Sequence, residues 1–272
     1  MPTLEEKYET LQELLRGYGS VLVAYSSGVD STFLLRVAHD VLGDRCFAAT
    51  ASAASFPDRE RDEAMDYADE LGVRHEVFYF DEFAVPGFAE NPENRCYLCK
   101  KELFTQMRAL AEELGAAELC EGSNVDDLGD YRPGLQAIAE LGIRSPLREA
   151  GLTKAEIREL SRRLGLPTWD KPSFACLASR FPYHHRITET ALKRVDRAEQ
   201  FLLDRGFSEV RVRVHGTVAR IEVRPEERIR LVSEPLASEI DTRFKELGFL
   251  YVSADLLGYR TGSMNDTITQ RK

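Results

Sequence analysis

The chain reads as an α/β protein, a parallel sheet with helices on both faces followed by a small α+β domain. Three observations predict this. Up to about residue 183, short apolar runs alternate with segments of helical period, the pattern of a mostly parallel sheet. The first apolar run, V-L-V-A-Y at 21–25, passes straight into a hydroxyl-rich, glycine-containing turn and then into a helix-like stretch. Beyond the loop at 183–188, V-R-V-R-V-H-G and V-A-R-I-E-V alternate with period two instead. The 272 residues, 43% hydrophobic and 30% charged, have ordinary globular composition and suffice for one large or two smaller domains. We therefore expect domains at 1–183 and 184–272.

The elements follow in order. Helical periodicity covers 4–17, and a strand covers 20–25. Helix 31–42, strand 45–51, helix 58–71 with Asp58 as its cap, and strand 74–80 continue the alternation. A helix near 99–114, a strand at 117–121 and helices near 132–141 and 153–164 complete the first domain. Thr153 with Glu156 forms a capping box. In the second domain helix 188–205 precedes a hairpin turning at His215-Gly216-Thr217. Helices at 225–232 and 234–247 and a strand at 249–255 follow. The last residues, T-I-T-Q-R-K, are expected to fray.

Net charge is −10 and the isoelectric point about 5.2, which argues against general nucleic-acid binding, since that needs a basic face. No signal or transit pattern opens the chain, and no apolar run approaches the ~20 residues that span a bilayer. A cytoplasmic location without membrane association is expected. The five cysteines are an odd count, which speaks against a disulfide framework. Cys46 and Cys120 lie in apolar runs and read as buried structural thiols.

Four stretches carry chemistry. At 26–31, Ser26, Ser27, Gly28, Val29, Asp30 and Ser31 lead from a strand into a helix. Unpartnered first-turn N–H groups and the helix dipole there favour phosphate. Gly28 permits close approach, the three serines offer hydroxyls, and Asp30 can hold Mg²⁺. The bland alternative is a strand–turn–helix with serine capping. No Gly-Lys-Ser/Thr follows, so this is not a Walker loop. At 121–134 a second Gly/Asp-rich loop (E-G-S-N-V-D-D-L-G-D-Y-R-P-G) contains Gly122, Asn124, Asp126, Asp127, Asp130 and Arg132. It is either a polar turn or the second wall of a nucleotide site. At 170–183, D-K-P-S-F-A-C-L-A-S-R-F-P-Y sets Cys176 among Lys171, Ser179 and Arg180, and nearby cations favour a reactive thiolate. Finally Cys96 and Cys99 form a C-x-x-C open to redox, metal or incidental readings. With Cys176 they could supply three thiolates to a 4Fe-4S cluster and leave one iron open.

These motifs, with G-Y-R-T-G-S at 258–263, resemble the ATP-dependent sulfurtransferases that build the nickel-pincer nucleotide of lactate racemase, members of the PP-loop ATP pyrophosphatase superfamily. The first loop departs from the superfamily's S-G-G-x-D-S, with Ser27 at the first glycine. The resemblance implies an adenine nucleotide alpha hydrolase-like fold. It implies that a carboxylate of pyridinium-3,5-biscarboxylic acid mononucleotide is adenylated with Mg-ATP and then takes sulfur, releasing pyrophosphate and AMP. Asp30 and Cys176 would be catalytic. Tyr97, Ser179, Arg180, Arg213 and Arg260 would contact substrate, with Glu222 a lesser candidate for metal or substrate contact. Cys176 matches the position that gives up its own sulfur in single-cysteine members. Cys96, Cys99 and Cys176 together match a three-cysteine, cluster-bearing branch. A homo-oligomer such as a hexamer is also implied. A tRNA thiolation enzyme, an ammonia-dependent synthetase and a non-enzymatic nucleotide-binding module are the competing classes.

Overall fold

The computed structural model describes residues 2–129 and 133–260. The chain divides into two compact units, one of Met1–Pro86 with Asn94–Phe174, the other of Gly87–Glu93 with Ala175–Lys272.

In the first unit, α1 (Leu4–Tyr18) opens on a capping box in which Thr3 and Glu6 satisfy each other's backbone N–H groups. There follow β1 (Val21–Ala24), α2 (Val29–Leu42), β2 (Cys46–Ser52), α3 (Asp58–Leu71) and β3 (Arg74–Tyr79). Then come α4 (Arg95–Leu114), β4 (Glu118–Cys120), α5 (Pro133–Glu140), the short α6 (Pro146–Glu149) and α7 (Lys154–Arg163). The strands form one parallel sheet in the order β3-β2-β1-β4, as the alternating pattern predicts. The chain steps outward from β1 to β3, then returns past β1 to β4. Right-handed crossovers therefore put α2 and α3 on one face and α4 on the other. Residues Val21, Val23, Phe33, Leu34, Val37, Ala48, Leu147 and Ile157 belong to one buried cluster that joins the sheet to its helices. β1 and β2 read as continuous apolar runs because strands covered on both faces have no polar side.

Local expectations are met at the predicted capping box, where Thr153 Oγ1 accepts from Glu156 N and Glu156 Oε2 from Thr153 N at 2.8 Å. Two expectations are corrected. Asp58 is the first helical residue of α3 rather than its cap. Pro57 holds the cap position, and the Asp58 carboxylate pairs with Arg61 at 2.8 Å. α4 begins at Arg95, four residues earlier than the apolar period indicated, because the Asn94 carbonyl accepts from both Tyr97 and Leu98.

In the second unit, α8 (Glu189–Leu203) is capped by Thr188, whose hydroxyl accepts from Ala191 N at 3.2 Å. The antiparallel pair β5 (Arg211–His215) and β6 (Val218–Glu222) turns through Gly216 and Thr217, Gly216 at φ +63°. α9 (Arg228–Leu231), α10 (Leu236–Glu246) and β7 (Tyr251–Ala254), which runs parallel to β6, complete it. The segment 87–93 belongs here because Asn91 Nδ2 donates to Pro182 O at 2.8 Å, and the Asn91 and Ala89 carbonyls accept from His184 N and Ile187 N. Among the described residues no helix is long and apolar enough to cross a membrane.

Candidate functional site

The sheet order reverses between β1 and β4, and in open α/β sheets ligands bind outside the strand ends at such a point. Both predicted nucleotide loops lie there. The chain leaves β1 at Ala24, passes Ser26 and Ser27, and enters α2 with Gly28 as N-cap. The backbone N–H groups of Val29, Asp30 and Ser31 are first-turn donors, with the dipole behind them. The first closed turn begins with Thr32 N donating to Gly28 O at 2.9 Å. A Cβ at Gly28 would meet only Ser26 Oγ at 3.5 Å and Ser31 Oγ at 3.9 Å, ordinary contacts. The protein itself does not demand glycine there, and the space suits a close-lying anion. The Ser26 and Ser31 hydroxyls stand 3.1 Å apart. Ser27 behaves differently. It is buried, sits at φ +51°, and its hydroxyl donates to Glu60 O at 2.9 Å and Oε2 at 3.1 Å. Its side chain is committed to α3, and it offers the loop backbone only.

The loop after β4 presses against this turn. A Cβ at Gly122 would lie 3.1 Å from Ser31 N and 3.3 Å from Asp30 C and Cβ, so any side chain there would crowd the two loops where they meet. Asn124 Nδ2 donates to Asp30 Oδ1 at 3.4 Å, while Asn124 N donates to Asp127 Oδ2 at 2.9 Å. The structure thus brings Asp30, Gly122, Asn124 and Asp127 together. It adds Lys154, which the sequence placed only inside a capped helix: Lys154 Nζ donates to Asp30 Oδ2 at 2.5 Å. Burial pushes the Asp30 carboxyl above its usual value, Lys154 offsets part of this, and Asp127 adds to it. The two carboxylates at this phosphate-type loop offer oxygen ligands of the kind Mg²⁺ takes, and Lys154 adds a cation beside them. Arg132 and Asp130 lie outside the described residues, as does the end of the 258–263 motif from Thr261.

Cys96 and Cys99 lie in the first two turns of α4, half-buried, with Arg95 Nη2 3.6 Å from Cys96 Sγ. Residues three apart share a helix face, so the two thiols can act together. Among the described residues no group of three or more His, Cys, Asp or Glu side chains is gathered to hold a metal. The pair fits a soft metal in kind and falls short of three thiolates in number. Tyr97, expected to face the nucleotide, donates to Glu140 Oε2 at 2.8 Å and accepts from Lys101. Cys46 and Cys120 are buried, and burial raises the Cys46 thiol to about 12 and Cys120 well above its ordinary value, as inert structural thiols require.

In the second unit Cys176 is half-buried and caps a one-turn 3₁₀ helix, Leu177–Arg180, its carbonyl accepting from Ser179 N at 3.0 Å. Arg180 is expected to contact substrate, yet its side chain is 0% exposed. Its Nε and Nη2 donate to Glu199 at 2.8 and 2.9 Å, and Nη1 to Ala175 O and Ser179 Oγ. In this structure Arg180 pins the cysteine turn to α8. Burial opposes ionisation of Glu199, but the Arg180 guanidinium, with Arg211 and the Val212 N–H, more than offsets it and holds the carboxyl below its usual value. Glu199 also accepts from Val212 N at 2.8 Å, a role that nothing in its helical surroundings signalled. Arg213, also buried, donates to Glu222 at 2.8 Å and to Ser179 O at 3.1 Å, so it too holds the turn. Lys171, read as a cation beside Cys176, has its ammonium on Glu60 and Glu63 at 2.7 and 2.5 Å. Arg260 is exposed.

The Arg180–Glu199 pair yields a stability prediction. Glu199→Gln leaves a guanidinium buried without a counter-charge and is expected to cost about 3–5 kcal/mol. Urea midpoints at pH 7 measure this, and a loss below about 1 kcal/mol would mean that the pair is relaxed by water. Because the folded carboxyl titrates below its unfolded value, the pair stabilises the fold above the ordinary carboxylate range. The gap between parent and variant should close only as pH falls through the folded value.

No family model matches the chain. It is 45% identical over 267 residues to an uncharacterized protein of Synechocystis, covering 98% of this chain and all of that one. It is 40% identical over 273 residues to pyridinium-3,5-bisthiocarboxylic acid mononucleotide synthase of Lactiplantibacillus plantarum, covering 99% and 98%. More distant similarity, 32% over 195 residues and about half of each chain, joins it to a tRNA-specific 2-thiouridylase of Azorhizobium caulinodans. With full-length similarity at this level and a loop pair of the predicted kind at the sheet's switch point, the chain belongs to the family of the pyridinium-3,5-bisthiocarboxylic acid mononucleotide synthases, ATP-dependent sulfurtransferases of the PP-loop fold.

Proposed function

We propose that this chain adenylates a carboxylate of pyridinium-3,5-biscarboxylic acid mononucleotide with Mg-ATP and replaces the adenylate with sulfur, twice, to give the bis-thiocarboxylic mononucleotide of the nickel-pincer cofactor. The observation that carries this reading is the meeting of the loops after β1 and β4 at Asp30, packed so closely that a Cβ at Gly122 would come within 3.1 Å of Ser31 N. A carboxylate oxygen attacks the α-phosphorus of ATP. The α–β phosphoanhydride bond breaks, and pyrophosphate leaves toward the N–H groups of Val29–Ser31 while AMP stays on the acyl carbon. Asp30 and Asp127 would hold Mg²⁺, which neutralises charge on the phosphates. Lys154, which holds Asp30 Oδ2 in this structure, would add a second positive charge beside the phosphates. A sulfur nucleophile then attacks the acyl carbon and AMP departs.

One candidate nucleophile is Cys176 itself, whose turn is held by Arg180 and Arg213: its thiolate would attack the acyl carbon, AMP would depart, and β-elimination would then break the Cβ–Sγ bond, leaving the thiocarboxylate on the substrate and dehydroalanine at 176. Cys96 and Cys99 support a finer reading, in which they and Cys176 are the three thiolate ligands of a 4Fe-4S cluster. When bound, such a cluster supplies an open iron for hydrosulfide, so that the protein is not consumed. Iron and acid-labile sulfide in anaerobically purified protein, with the intact mass after one reaction, test this. About four irons per chain and an unchanged mass are expected. Cys96→Ala is expected to lose repeated transfer while keeping adenylation. No iron, with a mass loss at Cys176 matching dehydroalanine, would identify a single-use sulfur donor.

A further inference from the structure

The phosphate loop contains a residue in an unfavourable conformation, and something must hold it. Ser27 occupies the left-handed region at φ +51°, where a side chain crowds the backbone and glycine is the ordinary occupant. Serine can stay there only if its surroundings over-determine it. Those surroundings are three side chains. The Ser27 hydroxyl donates to Glu60 O at 2.9 Å and Oε2 at 3.1 Å. The Ser27 carbonyl accepts from Lys171 Nζ at 3.2 Å. Lys171 Nζ also donates to Glu60 Oε2 at 2.7 Å and Glu63 Oε2 at 2.5 Å. Ser27 itself is 1% exposed, and the Lys171 and Glu60 side chains are 14% and 12% exposed.

We infer that Lys171, through Glu60, is a positioning residue for ATP binding: the pair clamps Ser27 from both sides and so presents the following N–H groups of the loop to the phosphates. This rests on the reading of the loop as the ATP-phosphate cradle. A lysine beside such a loop suggests a phosphate ligand at first sight. The geometry argues otherwise. An ammonium has three N–H donors, and those of Lys171 already have Glu60, Glu63 and the Ser27 carbonyl within 3.2 Å. Its charge is also matched locally, whereas Lys154 lies beside the carboxylate assigned to the metal. The clamp matters because of the side chain at position 27. With glycine there, φ near +50° would carry no steric penalty and the loop would hold its shape unaided.

That dependence is the test. The dissociation constant for Mg-ATP is measured by titration calorimetry on the full chain, with thermal unfolding confirming a folded state. Lys171→Gln is expected to weaken binding about tenfold, because the left-handed conformer is no longer held. In a Ser27→Gly background the same Lys171→Gln change is expected to cost less than twofold. Glu60→Gln should follow the same pattern, and it stands in for Lys171→Gln if that variant does not fold. If the tenfold loss persists with glycine at 27, Lys171 touches the nucleotide itself and the proposal is overturned. A loss below twofold in the serine background overturns it equally. Absence of ATP binding by the parent chain would overturn the loop reading and this inference with it.

Discussion

Replacing Asp30 by alanine is expected to lower the rate of substrate-dependent pyrophosphate exchange by about 10²–10³-fold, the loss typical when a preorganised electrostatic group is removed from a reacting centre. Asp30 is the only acid in the first turn of α2, and its carboxylate is bracketed by Asn124 Nδ2 at 3.4 Å and Lys154 Nζ at 2.5 Å. Burial already disfavours its charged form, and Lys154 offsets part of this in this structure; in the proposed site Mg²⁺ would take over that role. Two further measurements separate a metal anchor from a packing role. Asp30→Asn keeps the shape and a hydrogen bond to Asn124 but has no charge, so it should lose nearly as much activity as alanine. Metal-free ATP should bind either variant at least as well as the parent, because a negative charge beside the triphosphate is gone. An asparagine variant within tenfold of the parent would remove Asp30 from the metal site.

The part of this site that was legible in the sequence is the part built from contiguous residues. The run V-L-V-A-Y-S-S-G-V-D-S announces a strand, a turn and a helix by itself, and β1, Gly28 and α2 stand there in order. The loop at 121–127 was legible because it too follows a strand. Its contact with Asp30 follows from sheet order, which places β4 beside β1. The illegible part is long-range. Lys154 meets Asp30 across 124 positions, and Lys171 meets Glu60 across 111, so neither pair leaves a periodic trace. From sequence Ser27 reads as a hydroxyl for phosphate, because local sequence shows the residue but not its φ. Its turn toward Glu60 is a consequence of α3 packing beside the loop. The start of α4 was missed for the opposite reason. R-C-Y-L has no amphipathic period, and the turn forms through backbone bonds to Asn94 and a buried Arg95. Likewise the resemblance gives Arg180 a substrate role, and nothing near it in sequence shows its burial. Its bidentate partner, Glu199, sits 19 residues away on another element.

Cys176→Ala should separate the two halves of the reaction more completely than any other change. Sulfur transfer is expected to fall below about 1% of the parent, since no sulfur atom remains at the end of the turn that Arg180 and Arg213 hold. Pyrophosphate exchange driven by the carboxylate substrate should stay within about threefold. Its machinery, Val29–Ser31 with Asp30 and Asn124, is assembled within the other unit without Cys176. The acyl-adenylate should therefore accumulate or leak to water, visible as AMP release without thiocarboxylate. Cys176→Ser sharpens the result: it restores the bulk and hydrogen bonding of the turn, so transfer that stays lost in serine is a loss of sulfur chemistry rather than of loop shape. The competing enzyme class predicts the reverse. An ammonia-dependent synthetase needs the same adenylating loops but no thiol, and it would turn over normally with alanine at 176. Adenylation that survives while transfer disappears is the pattern of a sulfurtransferase. Loss of both in a folded variant would mean that the cysteine turn helps to assemble the adenylation step, and the division of labour between loop and thiol would have to be abandoned.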